Sequence, residues 1–121
     1  MVKYFFDSYA VIELIGGNPK YAKYSQEPFV ITLFNLVEVY WFALREYSEK
    51  VADTIYHKLK PLVVDVDDDT LKEAMQFRRK NKRGLSYADC IGYVYALNKK
   101  LIFLTGDKEF VNMKNVEYVK R

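Results

Sequence analysis

Four carboxylates stand where an acidic side chain is costly to keep. Asp7 follows the apolar run Val2-Lys3-Tyr4-Phe5-Phe6, Glu38 lies within an apolar helical stretch, Asp89 falls near another helix start, and Asp107 follows Leu101-Ile102-Phe103-Leu104. A carboxylate in such surroundings loses hydration unless it is paired, hydrogen-bonded or bound to a cation. Together the four offer the oxygen donors that a hard divalent cation takes. A cation so held generates a nucleophilic water near neutral pH and neutralises charge gathering on phosphoryl oxygens, so the chemistry these residues suit is phosphodiester hydrolysis. That chemistry needs no histidine or cysteine base. The lone His57 sits on an amphipathic stretch away from every acidic motif, and Cys90, the single cysteine, has no evident base beside it.

The elements that must position these acids follow from apolar periodicity and punctuation. Val2–Phe6 reads as a buried strand, with Ser8 the expected cap of a helix carrying Val11, Ile12, Leu14 and Ile15. Gly16-Gly17-Asn18-Pro19 stops that helix, and a short helix through Tyr21 and Tyr24 precedes a second strand, Phe29–Thr32. A long helix is predicted over 33–47. On it Glu38 neighbours Phe34, Trp41 and Phe42 by i±3 and i±4 spacing, which predicts a carboxylate embedded in apolar surface. A helix over 48–59, a third strand Leu62–Val66, a helix opened by Asp67-Asp68-Asp69 and a helix over 87–98 capped by Ser86 come next. Strand Leu101–Leu104, the Thr105-Gly106-Asp107 turn and a last strand near Val116–Val119 complete the pattern. Alternating strands and helices predict an α/β fold with a mainly parallel sheet.

In right-handed parallel units every crossover helix runs against its strands, so strand C-termini and the following helix N-termini share one rim of the sheet. Open α/β sheets place their ligands there. Asp7, Glu38, Asp89 and Asp107 all fall at that rim, so one topology gathers acids that are far apart in the chain.

Phe5-Phe6-Asp7-Ser8, Asn35-Leu36-Val37-Glu38, Leu85-Ser86-Tyr87-Ala88-Asp89-Cys90-Ile91 and Leu104-Thr105-Gly106-Asp107-Lys108-Glu109-Phe110 give the chain its family likeness. In these residues it resembles the PIN-domain ribonucleases, which include the toxins of many VapBC-type toxin–antitoxin pairs. The resemblance runs over essentially the whole chain, in the family's order and spacing. It implies a PIN-like three-layer sandwich and an endoribonuclease using one or two Mg2+ or Mn2+ ions. It implies Asp7, Glu38, Asp89 and Asp107 as the catalytic and metal-holding acids, with Ser8 and Thr105 as hydroxyls steadying them. It further implies an RNA substrate, an antitoxin protein partner and a homodimer, for which Tyr40, Tyr47, Tyr56, Tyr93 and Tyr95 offer a face.

Composition narrows the alternatives. With 121 residues, 50% apolar and 29% charged, the chain is expected to form one domain, residues 1–121, with its own core. No run approaches the ~20 apolar residues of a membrane span, and Asp7 interrupts the N-terminal apolar stretch, so a cytoplasmic location is expected. One cysteine rules out an internal disulfide and any zinc site built on thiolate pairs. A net charge of +3 suits a polyanionic partner without requiring one.

Each acid also has a plainer reading. Asp7 and Asp107 suit helix caps or turns, Glu38 suits an amphipathic-helix residue reaching out to solvent, Asp89 suits a helix dipole, and Asp65 and Asp67–Asp69 are assigned a structural role alone. The basic stretch 78–83 contributes Arg78, Arg79, Lys82 and Arg83 as candidate contacts to RNA phosphate, or else a solvated helix end. A non-catalytic RNA- or protein-binding module of the same fold is the competing reading, one that leaves four intact acids without a use. A phosphoryl-accepting receiver domain fits less well, since Lys108 directly follows Asp107 instead of ending a later strand.

Overall fold

The computed structural model describes residues 1–81 and 84–120. In chain order the elements are β1 (Tyr4–Phe6), α1 (Ser8–Ile15), a 3-10 segment (Pro19–Tyr24), β2 (Phe29–Val30), α2 (Leu33–Glu46), α3 (Glu49–Leu59), a 3-10 turn (Lys60–Leu62), α4 (Asp68–Lys80), α5 (Tyr87–Asn98), β3 (Ile102–Thr105), a 3-10 turn (Lys108–Phe110) and β4 (Val116–Tyr118). The strands form one sheet in the order β2-β1-β3-β4, every pair parallel. Helices cover both faces, giving the three-layer α/β sandwich expected of the sequence.

Side-chain alternation along the strands divides the core in two. Tyr4, Phe6 and Leu104 face one helical layer and pack with Val11, Tyr21, Leu36, Val39 and Leu59. Phe5 and Phe103 face the other and pack with Ala74, Ile91, Tyr93, Val94 and Phe110. Gly92 sets the closeness of that second layer: a Cβ there would stand 2.7 Å from Cε1 and 2.8 Å from Cζ of Phe5. Helix α5 therefore lies directly on the central strand, carrying its first turn to the rim.

Three expectations need correction. The predicted strand over 62–66 is reduced to one bridge, Ile31 with Val63, made by Ile31 N–H to Leu62 O at 3.1 Å and Val64 N–H to Ile31 O at 2.8 Å. The 3-10 turn ending at Leu62 and the capping of α4 by Asp67, whose Oδ1 accepts from Thr70 N–H at 2.8 Å, leave too few residues for more. At the start of α1, Asp7 rather than Ser8 is the N-cap, accepting from Ala10 N–H at 2.8 Å. Among the five tyrosines expected to offer a dimer face, Tyr93 is buried in the core and Tyr95 packs on Phe5, because α5 is covered nearly all round.

No helix among the described residues is long and apolar enough to cross a membrane.

Candidate active site

Asp7 ends β1 at the rim where the parallel strands terminate and is 2% exposed. Both its oxygens are engaged: Oδ1 accepts from Ala10 N–H at 2.8 Å and Oδ2 from the Thr105 hydroxyl at 2.5 Å. Thr105 Oγ1 in turn accepts from Asp107 N–H at 3.0 Å, and Asp107 Oδ1 accepts from Glu109 N–H at 3.0 Å. A single line of hydrogen bonds thus fixes the turn after β3 against the end of β1. Glycine is required at the centre of that turn, because a Cβ on Gly106 would stand 2.1 Å from Cε1 of Tyr9 and 2.7 Å from the Tyr21 hydroxyl.

Glu38, in the second turn of α2, is held by a separate line. The Thr32 hydroxyl donates to Asn35 Oδ1 at 2.7 Å, Asn35 Nδ2 donates to Ser8 Oγ at 3.0 Å, and Ser8 Oγ donates to Glu38 Oε1 at 2.5 Å. Asn35 also closes the capping box of α2, accepting from Thr32 N–H at 2.9 Å. The apolar embedding expected for Glu38 does not occur: Phe34 is 43% and Trp41 60% exposed, so that side of α2 stays largely open to solvent. The Ser8 hydroxyl, not an apolar wall, orients this carboxylate.

Asp89 closes the capping box of α5, where its Oδ2 accepts from Ser86 N–H at 2.9 Å and its N–H donates to Ser86 Oγ at 3.1 Å. The plain structural role foreseen for it is real, and it uses one carboxylate oxygen.

The electrostatics show which acids are neighbours. Burial pushes Asp7 up to about 8; the bonds from Thr105 and Ala10 oppose this, and the negative charges of Asp89 and Asp107 add to it. Burial likewise raises Asp89, with the Ser86 bonds opposing and the charges of Asp107 and Glu38 adding. Asp7, Asp89 and Asp107 therefore act on one another, and Glu38 joins through Asp89.

Residues 4–116 match the PIN domain. The chain belongs to the PIN-domain family. Solved structures with the same fold include the "Toxin-antitoxin complex from Klebsiella pneumoniae", at 19% identity and TM-score 0.75, covering 94% of this chain and 95% of that one. PAE2754 from Pyrobaculum aerophilum is similar at 21% identity and TM-score 0.70, covering 98% and 91%. VapBC-1 from nontypeable Haemophilus influenzae is similar at 16% identity and TM-score 0.68, covering 99% and 98%. No curated protein matches the sequence.

A divalent cation is what a PIN domain implies, and the donors present can be tested against it. Among the described residues no three His, Cys, Asp or Glu side chains stand together as a complete metal-binding group. The hydrogen bonds of the described residues nevertheless engage only one oxygen each of Glu38, Asp89 and Asp107. Each keeps a carboxylate oxygen for water or metal, and each oxygen on Asp7 retains a second lone pair. Magnesium needs few protein ligands, since it keeps several waters of its own. This donor set fits a hydrated hard cation.

The basic residues of this PIN domain divide. Arg78 stacks on Tyr87, its guanidinium carbon 4.7 Å from the ring centroid, and its Nε donates to Leu85 O at 3.2 Å, so it braces the segment before α5. Arg79 Nη2 donates to Gln76 on the exposed side of α4. Lys82 and Arg83 lie outside the described residues. Burial pushes the Cys90 thiol up to about 11, which agrees with a packing role. Two participants were given no role from the sequence: Asn35, which stood in the Asn35-Leu36-Val37-Glu38 string and at Thr32-x-x-Asn35 capping spacing, and Tyr9, whose partner Gly106 is remote in sequence.

Proposed function

We propose that this PIN domain is an endoribonuclease that hydrolyses RNA phosphodiester bonds with Mg2+ or Mn2+, and that it is the toxin of a toxin–antitoxin pair. The observation carrying this reading is Asp7: a buried carboxylate whose strongest charged neighbours are further carboxylates, at the rim where strand ends meet helix starts. Its hydrogen bonds from Thr105 and Ala10 do not offset the burial, so a cation beside it is what would favour the ionised form.

Asp7, Asp89, Asp107 and Glu38 would hold the metal, directly or through water. When bound, the cation lowers the pKa of an attacking water and neutralises charge on the phosphoryl oxygens. Asp7 is fixed in angle by Thr105 and Ala10, so it presents its remaining lone pairs in one direction. Glu38, held by Ser8 at one oxygen, has the other to accept a proton from a water molecule. Arg78, beside Tyr87 at the rim, and Arg79 supply positive charge for the RNA backbone.

An antitoxin is supported by a second feature. Leu33, Phe34, Val37 and Trp41 leave one side of α2 apolar and exposed, and Phe34 continues into a groove with Leu71, Met75, Tyr87 and Ile91. Exposed apolar area of this kind marks a protein contact. Lying on the element that carries Glu38, it suits an apolar antitoxin segment that would screen the acids. The similar Klebsiella pneumoniae structure is itself a toxin–antitoxin complex, and the Haemophilus influenzae one is VapBC-1.

The decisive experiment incubates the purified chain with mixed RNA, with manganese or with chelator, beside Asp7→Asn. Cutting that needs manganese and disappears in the variant is expected. Cutting that persists in the variant or in chelator would remove the acids from the mechanism.

A further inference from the structure

Asp107 also borders a cavity of about 410 Å³, lined by Tyr9, Gly106, Asp107, Lys108, Tyr118 and Lys120. It combines two tyrosines, two lysines and one carboxylate shared with the acidic cluster. Each wall is placed by the fold. Tyr9 sits in the first turn of α1, its ring edge laid against Gly106 beside the Tyr21 hydroxyl. Tyr118 ends β4 opposite Thr105, in register with the very residue that holds Asp7. Lys108 starts the turn after Asp107, and Lys120 continues the chain beyond β4; both are exposed.

The geometry points to a nucleotide subsite, in which an unpaired RNA base adjacent to the scissile phosphate stacks on Tyr9 and Tyr118 while Lys108 and Lys120 hold the neighbouring backbone phosphate. The size suits one nucleotide, at the lower end of the usual ligand pocket of ~300–1,000 Å³. Aromatic faces accept any base without reading its edge, and lysines act on phosphate as point charges. Because Asp107 belongs to both the cavity and the acidic cluster, a base seated here puts its own phosphate beside the acids. Single-stranded RNA is thereby selected over duplex, whose bases are not available to stack. The inference rests on the ribonuclease reading, and its residues are distinct from the Arg78–Arg79 contacts.

The test uses a fluorescein-labelled oligouridylate in chelator, where nothing is cut, and fluorescence anisotropy for Kd. Tyr118→Leu is expected to weaken binding about 5- to 100-fold, the worth of one base stacked on an aromatic ring, while Tyr118→Phe binds as wild type. Lys108→Ala with Lys120→Ala is expected to reduce the slope of log Kd against log salt by about 0.7 for each phosphate no longer neutralised. Both lysines are exposed, so this variant keeps the test intact should Tyr118→Leu unfold. Unchanged Kd in Tyr118→Leu, equal loss in Tyr118→Leu and Tyr118→Phe, an unaltered salt slope, or equal affinity for a fully paired duplex would each overturn the subsite. Manganese-dependent cutting is measured separately. If Asp7→Asn abolishes cutting while Tyr118→Leu leaves Kd untouched, the subsite fails and the nuclease stands; the converse pattern leaves an RNA-binding cleft without the proposed catalysis.

Discussion

Thr105 and Asp7, 98 residues apart in sequence, are joined by a 2.5 Å hydrogen bond that ties the end of β3 to the end of β1. Thr105 also accepts the Asp107 N–H, so one hydroxyl serves two of the acids. Thr105→Val keeps shape and removes both bonds, leaving buried polar groups unsatisfied at a cost of about 1–3 kcal/mol. A lower melting temperature is expected, together with a higher manganese concentration for half-maximal RNA cutting, and Thr105→Ser should restore the second. A valine variant with wild-type metal dependence would show that the hydroxyl does not aim Asp7.

The pH dependence of the metal-free protein follows from Asp7. Its carboxyl is held near 8 in the folded chain, whereas an unfolded aspartate titrates near ~3.9. Over that interval the folded state keeps a proton that the unfolded state has released, so stability falls as pH rises and is greatest below the unfolded value. In chelator the melting temperature should be higher at about pH 5 than at about pH 7.5, and Asp7→Asn should lessen the difference. Saturating manganese should flatten the trend in the wild type, since a cation replaces the proton. An identical slope in Asp7→Asn would assign the effect to other groups.

Ser8 links Asn35 to Glu38, so Ser8→Ala frees the carboxylate without altering its charge. Both part-buried bonds of the hydroxyl are lost, and the buried Asn35 amide loses its acceptor, so the cost should be about 1–3 kcal/mol of stability. We expect kcat for RNA cutting to fall with KM little changed, and Ser8→Thr to recover part of it. A change in KM alone would place Ser8 in RNA binding instead.

Gly92→Ala forces a methyl group toward the Phe5 ring, which is pinned by stacking on Phe103 at a centroid separation of 5.7 Å. Overpacking of this kind costs about 1–3 kcal/mol, and here it pushes the start of α5, with Asp89, away from the sheet. Calorimetry should show destabilisation and RNA cutting should drop further than stability alone explains. Full activity in a folded Gly92→Ala would mean that the spacing of Asp89 is not critical.

Much of this was legible because the signals are local. Val2–Phe6 and Leu101–Leu104 announce strands by their apolar runs, Ser86 announces its helix, and strand-end acids inherit their position from those elements. What stayed hidden depends on which surfaces meet. Periodicity puts Phe34 and Trp41 on one side of Glu38, but whether that side is covered is decided elsewhere, and both residues stay exposed. Tyr93 and Tyr95 looked available for the same reason, though α5 lies against β1 and is enclosed. Asp7 and Ser8 are both capping residues, and only the backbone angle chose between them. The run 62–66 had strand composition but only two residues of β2 nearby to extend.

The position of β1 in the middle of the sheet has a consequence for synthesis. Its hydrogen-bonding neighbour on one side is β3, which leaves the ribosome only after α1 to α5 have been made. Until then Asp7 has no Thr105, Asp107 does not exist beside it, and the acidic pocket lacks a wall. On the ribonuclease reading a nascent chain is therefore harmless to surrounding RNA by construction. Cutting power arrives abruptly once β3 has emerged, when the apolar side of α2, on which restraint would act, has long been complete.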